Sequence, residues 1–151
     1  MTLLKWRPHF IVASIIALSL MACSAETPEP SPEYSKHLSQ AKANYPFEVW
    51  KTYSPGLEQY TVENCDVAAK IFDTLLDGLA AEGADATERA KLKHFQKAVL
   101  ALNDLNYDTY IIETGEREEL AALIDEITVL AGLTPEDYAG GAGVADLWRG
   151  W

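Results

Sequence analysis

The groups in this chain that could do chemistry are few, and their spacing is poor for it. Glu33 and His37 stand four residues apart, which puts both on one helix face, a common arrangement for paired metal ligands. Nothing completes the set, because His94 lies far along the chain without a second histidine near it. Asp73 and Asp77 share the same spacing. Acid–base work, however, needs two carboxylates in environments that pull their pKa values apart, and a solvated helix face accounts for this pair equally well. Cys65 carries no local nucleophile motif, and the chain has no Gly-x-Ser-x-Gly, His-Glu-x-x-His or glycine-rich phosphate loop. The expectation is a protein with no metal, no cofactor and no catalytic residues. A small envelope hydrolase with a triad gathered from distant positions is the lesser alternative.

Binding chemistry is better represented. Arg89, Lys93 and Lys97 recur at i, i+4 and i+8, the densest cationic row in an acidic chain and roughly opposite an apolar stripe. Such a row can dock an anionic partner, or it can pair with neighbouring acidic helices and stay solvated. Aromatic residues form two groups, Tyr45, Phe47, Trp50 and Tyr53 early, and Trp148 with Trp151 late. Large aromatics with charged rims anchor interfaces, and the same residues anchor cores. Trp50, Trp148, Trp151, Arg89, Lys93 and Lys97 are therefore the candidate partner-binding residues. For the aromatics the alternative is packing, with the terminal tryptophans folded back over the domain.

The beginning of the chain has a different character. Met1–His9 carries Lys5 and Arg7 and no acid, and Phe10–Ala22 is a mostly apolar run. That is the pattern of a removable export signal. Thirteen residues of helix reach only about 20 Å at ~1.5 Å each, short of the ~30 Å hydrocarbon core, so a permanent span is disfavoured. The run ends Leu20-Met21-Ala22-Cys23. This resembles the lipobox of bacterial lipoproteins, although Met21 is bulkier than the commonest residue at its place. The resemblance covers the leader alone. It implies a signal peptide over 1–22, cleavage before Cys23, and lipid on that sulfur and on the new amino terminus. An ordinary signal cut near Ala22 or Ala25 is the alternative.

Two or more acyl chains suffice for stable attachment. The resemblance further implies, from Ser24 and the absence of Asp there, the periplasmic face of the outer membrane if the cell is Gram-negative. With Cys23 acylated, a disulfide to Cys65 is ruled out, and Cys65 becomes a lone, buried thiol. Residues 23–32 form a lipidated tether, whose Pro- and Glu-rich composition favours an extended spacer.

A 22-residue leader leaves 129 of the 151 residues, enough for one domain, placed at 33–151. The spacing of apolar residues predicts four to five helices in an all-α bundle. Ser31-Pro32-Glu33 is a helix start; a long helix runs from about Leu57 or Thr61 to Ala81; a second, capped by Asp85 or Thr87, runs to about Leu105. So short a connection makes these two antiparallel neighbours. Tyr107–Thr114 reads as an extended link or one short strand, and a third long helix follows over about Gly115–Ala131, capped by Thr114. Thr134-Pro135-Glu136-Asp137 starts a short helix, and Gly140, Gly141 and Gly143 make a hinge.

The formal charge of −11 becomes −13 without Lys5 and Arg7. That sign disfavours nucleic acid, and it suits a basic protein partner or only keeps the domain soluble. The expectation is a membrane-tethered acidic helical binding module of the bacterial cell envelope, for instance an inhibitor or immunity-type lipoprotein. Its partners are the membrane, through lipid on Cys23, and an envelope or secreted protein. A structural or assembly lipoprotein of an envelope complex is the alternative.

Overall fold

The computed structural model describes residues 31–54 and 56–151; the leader, Cys23 and residues 24–30 of the tether lie outside the described residues. Helices α1 (Pro32–Leu38), α2 (Phe47–Trp50), α3 (Val62–Glu82), α4 (Glu88–Thr109) and α5 (Thr114–Leu130) make up an all-α domain. Among the described residues there is no strand, and no helix is long and apolar enough to cross a membrane.

Side-chain caps set most of the helix starts. Ser31 Oγ accepts the Tyr34 N–H, Thr61 Oγ1 the Asn64 N–H and Thr87 Oγ1 the Ala90 N–H, each using one of the free amides of a first turn. Pro32 is thus the first helical residue, and the last two positions assigned to the spacer belong to the cap and first turn of α1. Of the two caps proposed for α4, the structure uses Thr87.

Two expectations needed correction along the link after α4. The helix runs one turn beyond Leu105, to Thr109; of the two readings of the segment that follows, the extended link is the one present, over Ile111–Glu113, with no strand among the described residues. Ile111 and Ile112 are buried there, and Asn106 Oδ1 accepts the Ile112 N–H at 2.8 Å, so a side chain supplies the bond a neighbouring strand would have made. The cap of α5 is Glu113 and not Thr114, because Glu113 and the buried Glu116 form a reciprocal capping box.

Gly83, at φ 89°, ends α3, and the chain returns as α4 in the most extensive helix pairing of the fold. Phe72, Leu75, Leu76 and Leu79 of α3 meet Phe95, Val99 and Leu102 of α4 in a core that Leu120, Ile124 and Ile127 of α5 complete. The segment α1–α2 lies across α3, and its first part also meets α5. Tyr45, Phe47, Trp50, Tyr60 and Phe72 join edge-to-face and tilted at 5.2–6.2 Å between ring centres. Those are favourable geometries for aromatic pairs.

After α5 the expected short helix is a single 3₁₀ turn, Pro135–Asp137, followed by two more, Ala139–Gly141 and Val144–Leu147. Gly143 takes φ 95°, and a side chain there would strike the Asp125 carboxylate, so its glycine serves close packing against α5. Asn103 of α4 then grips the tail at two points, donating from Nδ2 to the Trp148 carbonyl and accepting the Gly150 N–H at Oδ1, both at 2.9 Å.

Candidate functional site

Three of the six candidate contact residues come together in one groove. Arg89 and Lys93 stand on the outer face of α4, and the Asn103 grip brings Trp148 against the same face. With Glu88, Leu92 and Gln96 they line a depression of about 390 Å³. Arg89 and Lys93 are exposed, Trp148 is half-buried, and no ion pair engages either cation among the described residues. Glu88 is the one carboxylate in the lining, and it accepts a 3.0 Å bond from the Tyr138 hydroxyl. Burial, then the bond and charge of Glu88, push the Tyr138 phenol up to about 12, so it remains a neutral donor to Glu88.

Lys97 does not join this groove. Eight residues of helix turn about 80° past two full revolutions, so the row drifts around α4 as it climbs. Lys97 instead borders a mostly apolar hollow of about 270 Å³ between α3 and α4, beside Ile71, Leu75 and His94. His94 Nε2 lies 3.0 Å from Glu82 Oε1, and Gly78 leaves the space its ring occupies.

Trp50 is placed with the core and offers no surface to a partner. It is fully buried, and its Nε1–H donates to Glu119 Oε2 at 2.6 Å. Trp151 folds back on the domain and is 9% exposed, with the Arg149 guanidinium 5.7 Å from its ring centre. Arg149 in turn pairs with Asp146 at 2.8 Å. Sequence spacing could not separate these tryptophans, because α2 has only four residues and Trp148 and Trp151 follow a run of 3₁₀ turns with no helical period to read.

The remaining chemical candidates are dispersed. Glu33 and His37 are exposed on α1, and no cluster of three or more potential metal ligands forms among the described residues. Asp73 pairs with Lys42 at 2.7 Å and takes a 3.3 Å bond from the Tyr45 hydroxyl, while Asp77 is exposed. Cys65 is fully buried, and burial pushes its thiol up, away from the reactive thiolate.

One polar residue was not legible in the row that contains it. Lys91 sits between Arg89 and Lys93 in sequence but is 5% exposed. Its Nζ donates to the Ala84 carbonyl at 2.6 Å and to the Ala131 carbonyl at 2.8 Å. The ammonium thereby ties the α3–α4 connection to the negative end of α5. No family model matches this chain, and neither does any curated protein or solved structure with which it was compared.

Proposed function

We propose that this protein is a lipid-tethered binding module of the bacterial cell envelope that works by covering a partner's surface, as an inhibitor or immunity-type protein does. The observation that carries the reading is the groove of Arg89, Lys93 and Trp148: two cations without ion pairs among the described residues, beside a half-buried indole, in a chain whose formal charge is −11. An indole with an apolar neighbour supplies area, and the flanking cations supply orientation toward a carboxylate. A basic partner is drawn by the acidic body and fixed in register when an acidic side chain of its own enters this groove.

Charge reversal tests it. Arg89→Glu with Lys93→Glu is expected to weaken partner capture by about tenfold or more, the scale of lost charge complementarity. The fold should survive, because Glu suits the first turn of α4, where Arg89 stands, and Lys93 is exposed. Capture in vivo by a cross-linker placed at the exposed Gln96 position, which lines the same groove, with the thermal melt run in parallel, makes the measurement. Undiminished capture by the doubly reversed protein would remove the groove from the reading. Loss of the partner's enzymatic activity on binding supports the inhibitor, whereas a permanent stoichiometric assembly supports the structural alternative.

The tether has its own test. Cys23→Ser is expected to abolish metabolic labelling with fatty acid and to leave an unprocessed or released protein, since no other residue in Leu20–Cys23 can form the thioether. Labelling that persists in the variant refutes acylation at that residue.

A further inference from the structure

A second groove, of about 430 Å³, opens at the other end of α4, lined by Asn103, Asp104, Asn106, Tyr107, Tyr110 and Trp151. Tyr107 and Tyr110 are 82% and 74% exposed, so neither ring is held by the core. Tyr110 moreover sits at φ 56°, ψ 30°, the left-handed position just past α4 where glycine is usual. A bulky residue costs stability there, and an exposed ring recovers none of it by packing.

Hydrogen-bonding capacity in the groove is also unspent. The Asp104 carboxylate has no ion pair or side-chain hydrogen bond among the described residues. Asn106 uses its carbonyl oxygen to accept the Ile112 N–H, which leaves its amide N–H groups available. Among the described residues, no lysine or arginine lines the groove.

We propose that this groove binds a neutral saccharide, with Tyr107 and Tyr110 as stacking faces for pyranose rings. A pyranose presents an apolar C–H face and a rim of hydroxyls, each both donor and acceptor. Asp104 accepts from that rim and the Asn106 amide donates to it, while the tyrosine faces cover the C–H surface. Alternatives fit worse. Phosphates and acidic polymers meet Asp104 with no cation to offset it, and an apolar peptide would strand Asp104 and Asn106 without partners. The site is separate from the Arg89–Trp148 groove and does not depend on it.

The test titrates the intact protein in detergent with tri-N-acetylchitotriose and, separately, with cellotriose, following the aromatic proton resonances. Saturable shifts at Tyr107, Tyr110 and Trp151 with either sugar are expected, and the comparison of the two reports whether the acetamido group is read. Tyr110→Gly should weaken binding at least tenfold without lowering the melting temperature, because glycine relaxes the left-handed backbone. Tyr107→Ala should weaken it similarly, and the Arg89→Glu, Lys93→Glu protein should bind sugar normally. The proposal is overturned by three results: no saturable shift with either sugar, binding unchanged in both tyrosine variants, or a lowered melt for Tyr110→Gly, which would give that ring a packing role.

Discussion

Trp50→Ala is expected to lose about 3–5 kcal/mol of stability, the range for emptying a buried aromatic site. A domain of this size has only about 5–15 kcal/mol in total, so the variant should stand near its unfolding threshold. The reason lies in the neighbours. Phe47 meets the indole edge-to-face at 5.2 Å, Tyr60 lies at 6.2 Å, and both are fully buried, so the space cannot refill with water. Trp50→Phe separates packing from polarity. It keeps a six-membered ring in the cluster, leaves a small void where the rest of the indole was, and removes the donor to Glu119, whose exposed carboxylate can return to water, so a smaller loss of about 1–2 kcal/mol is expected. Urea unfolding followed by circular dichroism measures both. Equal losses in the two variants would assign the energy to the hydrogen bond and not to the aromatic cluster.

Lys91→Met should cost about 2 kcal/mol, and here two effects oppose each other. Burying an ammonium is expensive, so a methionine of similar length spares a desolvation penalty. Against that, the carbonyls of Ala84 and Ala131 lose their shared donor, and a buried acceptor left unmade costs about 1–3 kcal/mol. The second effect should win because Ala131 is 1% exposed and caps α5, where no water replaces the ammonium. Native-state hydrogen exchange should report the loss as faster opening at the end of α5 and in the α3–α4 connection. A change below about 0.5 kcal/mol would mean that desolvation and bonding cancel, and that α5 is held by its apolar face alone.

Local rules carried the sequence reading where the deciding groups are close together in the chain. Ser31, Thr61 and Thr87 cap helices through bonds spanning three residues; the sequence offers Ser31 directly, and Thr61 and Thr87 each as one of two possible starts. The apolar stripes of α3, α4 and α5 likewise became the core. Failures came where a distant or competing group intervened. The extended link is present, but it is shorter than the Tyr107–Thr114 stretch, because α4 continues to Thr109 and Asn106 then takes up the Ile112 N–H. Thr114 looked like a cap, but Glu113 and Glu116 together meet two amides where a threonine would meet one.

The chain itself carries the expectation of an export leader, a strong negative charge and an all-helical plan, because each is written in composition or in spacing of a few residues. Only the folded structure decided which tryptophan is inside, which cations share a groove with Trp148, and which lysine is buried. Arg89, Lys91 and Lys93 are indistinguishable as a string of cations. Their fates diverge because Lys91 faces a carbonyl contributed 40 positions later by α5, and burial is set by what arrives opposite a residue, a quantity that no local pattern contains.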